Sequence, residues 1–143
     1  MELPAELLGQ YVEAGEIYFF EDDKLPGVPG HMHACVCHKG QVLIFGTCSS
    51  QKNTAIRLAE YRHDDPRTYP LFVPTNTNKF KKETYIDCNQ VFAVSEEDFG
   101  SWRLSNKVQI KRGKMDAAEI QRLIDGILLS DRVAGEIQDL FKD

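Results

Sequence analysis

Two histidines one residue apart, His31 and His33, stand where an acidic, proline- and glycine-rich stretch (Glu21 to Gly30, EDDKLPGVPG) gives way to a β-type run. Imidazoles take and give protons near neutral pH, which suits them to general acid–base work. Lys79, Lys81 and Lys82 precede the run Thr84 to Gln90 (TYIDCNQ) and are cations of the kind that bind phosphate, while Phe80 or Tyr85 offers a ring on which a base can stack. A second basic group, Arg103, Lys107, Lys111, Arg112 and Lys114, has no acid between Phe99 and Met115. Metal-free RNA cleavage needs a base for the 2′-hydroxyl proton, an acid for the leaving oxygen, and cations on the pentacovalent phosphate. These residue types match that list. The plainer alternative makes the histidines structural and the lysines guards of an exposed strand edge.

The run His31-x-His33-x-Cys35-x-Cys37 invites a metal reading, because alternate residues of a strand share a face. Successive same-face residues lie nearly 7 Å apart, however, and four in a row span too much for one tetrahedral zinc. No metal and no cofactor is expected, and buried thiols behave as small hydrophobes. A cysteine nucleophile lacks an assignable base. The chain also has no phosphate loop, nucleophile elbow, HExxH helix or dinucleotide fingerprint.

At 143 residues the chain fits one domain, and 42% hydrophobic with 27% charged residues excludes collagen-like, coiled-coil and disulfide-scaffold classes. The net charge of −5 is unevenly spread: bases outnumber acids in residues 35–115, between acidic ends. That pattern permits a local phosphate-binding face on an acidic protein. The four cysteines form no CxxC pair, the N-terminus lacks a basic region followed by an apolar run, and no apolar stretch approaches the ~20 residues of a membrane span. The expectation is a cytoplasmic chain with reduced thiols and no membrane partner.

These residues must be positioned by strands first and helices afterwards. Leu3, Leu7, Leu8, Tyr11 and Val12 predict a short helix, Glu16 to Phe20 a strand, and Glu21 to Gly30 a loop. His31 to His38 and Gln41 to Cys48 read as a hairpin around Lys39-Gly40. Residues 49–53 read as loop, and Ile56 to Tyr61 as strand or helix. Leu71 to Val73, Thr84 to Cys88 and Gln90 to Val94 are further β-type runs. Asp116 with Glu119 forms a capping box ahead of the stripe Ile120, Leu123, Ile124, Ile127 and Leu128. Ser130 or Asp131 opens a last helix, with Val133, Ile137, Leu140 and Phe141 on one side. This order predicts a single α+β domain, with a helical extension at 1–14, a β core at 15–112 and helices at 113–143.

Gly15-Glu16-Ile17-Tyr18 at the first strand, a hairpin ending in Thr47-Cys48-Ser49, Thr84-Tyr85-Ile86-Asp87-Cys88-Asn89-Gln90 running into Val91-Phe92-Ala93-Val94, and Gly113-Lys114-Met115-Asp116 at the helix start stand in this order. Over roughly residues 15–130 the chain resembles the MazF/PemK-like toxins of toxin–antitoxin modules. The resemblance implies a small antiparallel SH3-like β-barrel, a homodimer, an endoribonuclease that cuts single-stranded RNA, and an antitoxin partner. Ser49 matches the hydroxyl that ends the family's third strand, and Cys88 and Gln90 match its third motif. Where the family carries an Arg-Pro pair entering strand two, this chain reads Gly30-His31-Met32-His33. The candidate residues are thus His31, His33 and Ser49 for catalysis, and Lys79, Lys81, Lys82 and Gln90 for RNA. Two rivals stand beside this: a non-catalytic barrel of the same superfamily binding a protein such as a topoisomerase subunit, and a stand-alone interaction module.

Overall fold

A two-residue loop, Gly40-Gln41, joins the two longest strands, and Gly40 takes the positive φ (+58°) that such tight hairpins require. The computed structural model describes residues 9–21 and 30–142. The strands are β1 (Glu16–Phe20), β2 (His31–Lys39), β3 (Val42–Ser49), β4 (Leu71–Phe72), β5 (Thr84–Ile86), β6 (Phe92–Ser95) and β7 (Gln109–Lys114). The helices are α1 (Lys52–Tyr61), α2 (Glu96–Leu104), α3 (Ala117–Leu129) and α4 (Gly135–Asp139). The chain is α+β, as the order of patterns predicts.

All pairings are antiparallel, in the order β4-β5-β3-β2-β1-β7, with β6 also on β3. β3 is the pivot. Its one edge lies on β2, while the other pairs with β6 over Val42–Phe45 and with β5 over Cys48–Ser49. Two partners diverging from one edge bend the sheet there. Register irregularities between Cys35 and Cys37 in β2, and between Glu16 and Tyr18 in β1, add twist. The result is a curled half-barrel. At its open side the β4–β5 loop is stitched to β7, with the Lys114 N–H donating to the Thr77 carbonyl at 2.9 Å.

Each face of the sheet carries its own core. On one face Ile17, Ala34, Val36, Ile44, Phe72 and Ile86 meet Leu123 and Ile127 of α3, with Ile137, Leu140 and Phe141 packed alongside. On the other, Tyr18, Phe20, Cys35, Leu43 and Phe45 meet Phe99 of α2, with Trp102 alongside. Strands covered on both sides read as continuous apolar runs, which is why β2 and β3 show no alternation. The capping box forms as expected: the Glu119 N–H donates to Asp116 Oδ1 at 2.8 Å, and the Asp116 N–H donates to Glu119 Oε1 at 3.0 Å. Leu123 and Ile127 are fully buried, each contributing about 2 kcal/mol by area removed from water.

Several elements differ from the sequence reading. Residues 56–61 take the helical one of their two expected forms, but α1 begins at Lys52, inside the expected loop. Cys88–Gln90 forms a 3₁₀ turn capped by Asp87, which separates the short strands β5 and β6. α2 and β7 were not anticipated, and β7 carries the sheet to Lys114, past the expected boundary at 112. The last helix starts at Gly135, later than Ser130 or Asp131 suggested. The expected helix over Leu3–Val12 and the loop Glu21–Gly30 lie largely outside the described residues. Among the described residues no helix is long and apolar enough to cross a membrane.

Candidate functional site

His31 opens β2, paired with Phe20, and Ser49 closes β3, paired with Tyr85. The β2–β3 ladder pairs His33 with Thr47, and two residues further along both strands stand His31 and Ser49. Cross-strand neighbours share a face, so these side chains and Tyr85 belong to one face at one end of the sheet. His31, Thr47 and Ser49 are half-buried, which makes this end a reachable rim. The Ser49 hydroxyl oxygen accepts from the Gln51 N–H at 3.2 Å.

His33 is in a different situation. It is fully buried, with its ring stacked on Phe20 at 3.8 Å between centroids and meeting the edge of Phe92 at 5.6 Å. Strand alternation aims it at the face that α2 covers, so it does not reach an external substrate and acts as part of the aromatic core. The other histidines are also accounted for. His38 places Nδ1 2.7 Å from the Val12 carbonyl and Nε2 2.7 Å from Glu96 Oε2, tying the N-terminal segment to α2. His63 is exposed just past α1, at a left-handed φ of 58°.

The irregularity in β2 also breaks the His-His-Cys-Cys line. Cys35 packs with the α2 side and Cys37 with the α3 side, so the four do not share a face as the sequence suggests. Among the described residues no three His, Cys, Asp or Glu side chains form a group able to hold a metal ion. Burial pushes the Cys48 and Cys88 thiols up to about 12, and Cys35 higher still, so these sulfurs are protonated and poor nucleophiles at neutral pH.

A cation that sequence reasoning missed stands nearby. Arg62, the cap of α1, directs its guanidinium to Asp87 Oδ2 at 3.4 Å and, with the Gln90 amide turned so that its oxygen rather than its nitrogen meets the donors, to that oxygen at 2.8 and 3.0 Å. Asp87 is two residues beyond Tyr85, so it stands about 7 Å along the strand from the cross-strand neighbour of Ser49. The turn holding Asp87 and Gln90 is braced. Asp87 Oδ1 accepts from both the N–H and the side-chain amide of Asn89 at 2.9 Å, and Ser130 Oγ donates to Asn89 Oδ1 at 2.5 Å. Arg132 donates to the Arg62 carbonyl at 3.1 Å and to Asp64 Oδ1 at 2.7 Å. No local pattern announces this triad, because Arg62 follows a run whose structure was ambiguous and meets partners 25 and more residues away.

The lysines divide. Lys79, Lys81 and Lys82 are all exposed. Lys79 sits at the loop turn with φ +56°, and its Cβ would lie 3.1 Å from a Cβ built on Gly113. The two basic groups of the sequence therefore meet, Lys79 abutting the segment Arg112–Lys114. That junction is at the Glu16 end of β1, whereas His31 faces Phe20 at the other end, about 13 Å away along the strand. Lys79 is thus not beside the imidazole. Lys82 lies closer to the rim, its carbonyl accepting from Thr84 Oγ at 3.0 Å next to the Ser49–Tyr85 pair. Lys111 Nζ stands 5.4 Å over the Phe19 ring. Phe80 is core and cannot stack on a base as it stands, while Tyr85 borders a surface groove.

Comparison with family models and with curated proteins returns no match to this chain.

Proposed function

We propose that this chain is a MazF/PemK-like, toxin-type protein that binds single-stranded RNA and cleaves it by metal-independent transesterification, with an antitoxin protein as its natural restraint. The observation that carries the reading is the register that brings His31 and Ser49 to one end and one face of a curled antiparallel sheet. His31 takes the proton from the 2′-hydroxyl, and the 2′-oxygen attacks phosphorus. The bond to the 5′-oxygen breaks and that oxygen takes a proton from solvent water, leaving a 2′,3′-cyclic phosphate and a 5′-hydroxyl. Ser49 donates a hydrogen bond to a non-bridging phosphate oxygen, and Arg62 supplies positive charge to the same group. Lys82, Lys81 and Lys79, all exposed, supply cations to the phosphates of the strand. The test is incubation of the purified chain with a long unstructured RNA at equal concentration in the presence of a metal chelator. Cleavage supports the reading, and intact RNA removes its catalytic half.

The burial of His33 and the exposure of Leu58 and Tyr61 on α1 favour a second reading, a non-catalytic barrel whose partner is a protein. Co-precipitation of a single protein partner without RNA cleavage supports that alternative.

A further inference from the structure

A groove of about 820 Å3 lies between the edge of β4 and α3, in the size range of sites that take small molecules. Half-buried Tyr69 supplies aromatic surface, Tyr85 lines the wall at 8% exposure, and Leu129 of α3 stays 43% exposed there although the core makes no use of it. Three polar groups converge on these walls: Arg67, Arg122 and Asp125. Arg67 is already held by Asp65 at 2.7 and 3.1 Å. Arg122 rests over the Phe72 ring at 4.7 Å and, among the described residues, forms no ion pair. Asp125 accepts from the Gln121 side chain through one oxygen at 2.8 Å, which leaves acceptor capacity on its carboxylate. Pro66 and Pro70 on the β4 side have no N–H, so an added peptide strand finds a poor edge to pair with.

We infer that this groove binds a nucleotide whose base carries an exocyclic amino group. The base stacks on Tyr69, the amino group donates to Asp125, and the phosphate meets the guanidinium of Arg122. Tyr85 is also the cross-strand neighbour of Ser49, so the groove adjoins the end of the sheet that carries the rim. The inference extends the RNA reading without depending on cleavage: a chain that binds nucleotide here and cuts no RNA keeps the groove and loses the nuclease.

The test is NMR titration of the isotopically labelled full chain with CMP, AMP and UMP, and separately with the trinucleotide CpCpC. CMP and AMP are expected to shift the resonances of Tyr69, Tyr85 and Leu129, with UMP about tenfold weaker. Arg122→Gln weakens every nucleotide about tenfold, and Asp125→Asn narrows the gap between CMP and UMP. Tighter binding of CpCpC than of CMP supports a unit of an RNA strand as the ligand, and equal binding supports the free nucleotide. Absence of shifts at these residues up to roughly 10 mM, an affinity too weak to matter, overturns the inference. So do equal responses to CMP and UMP in the unaltered chain, or a response of the groove to an apolar peptide and to no nucleotide.

Discussion

The backbone carbonyl of Asn78 lies so close over Gly113 that a Cβ at residue 113 would fall well inside van der Waals contact with it. This approach fastens the β4–β5 loop to β7 and joins two basic segments that are more than thirty residues apart in sequence. Asn78 is itself fixed, its Nδ2 donating to the Val73 carbonyl at 3.0 Å and to Glu119 Oε2 at 2.8 Å. Gly113→Ala is therefore expected to lower stability by about 2–3 kcal/mol, since backbone on both sides must shift. Thermal unfolding reads this as a drop of several degrees, and an unchanged midpoint contradicts the contact.

Lys79 separates stability from binding. A non-glycine residue at φ +56° costs about 1 kcal/mol relative to glycine. Lys79→Gly is expected to stabilise the fold by about that amount while weakening binding of a single-stranded RNA and flattening its salt dependence by roughly one phosphate contact. Denaturant unfolding and binding measured across salt concentrations check the two halves separately.

Arg62 and Gln90 are expected to act as one unit. Arg62→Ala lowers single-turnover cleavage by about a hundredfold through loss of charge at the phosphate. Gln90→Ala lowers it less, because Gln90 orients the guanidinium, and adds little when Arg62 is already alanine. A full additive loss in the double variant contradicts the coupling drawn from their 2.8 and 3.0 Å contacts.

The buried thiols give a pH signature. Cys48 and Cys88 are raised to about 12 by burial, against roughly 8.5 in an unfolded chain. Below that lower value both states hold their protons and the full stability is present. As pH rises beyond it the unfolded state loses protons first, so stability falls by about 1.4 kcal/mol per pH unit for each thiol until the folded values are reached. Urea unfolding from about pH 8 to pH 10 should show this decline, reduced in Cys48→Ala. At about pH 8 a disulfide reagent should label the native chain slowly and all four cysteines quickly once it is unfolded.

The hairpin and the capped helix were legible because each carries its own signal: Gly40 between two apolar runs, and Asp116 with Glu119 ahead of a regular stripe. β7 was not, because five of its six residues are exposed and QIKRGK shows no alternation at the end of a sheet. α2 had a readable start, Ser95 capping the Asp98 N–H with three acids in the first turn, yet its large apolar contacts to the core come from Phe99 and Trp102, too few to show a stripe. The site divides along the same line. Ser49 and His31 follow from the hairpin register. The burial of His33 does not, since alternation says which residues share a face but not which face a later helix covers. Arg62 was illegible because its partners are brought to it by tertiary packing.

The proposed cleavage depends on the rim that carries His31 and Ser49, and the ends of the RNA products report on it most directly. With chelator present, the unaltered chain is predicted to leave 2′,3′-cyclic phosphates and 5′-hydroxyls, with cleavage reduced by a hundredfold or more, on the order of a lost general base, in both His31→Ala and Ser49→Ala while each variant remains folded. Cleavage that persists unchanged in His31→Ala, or products ending in 5′-phosphates, would contradict it.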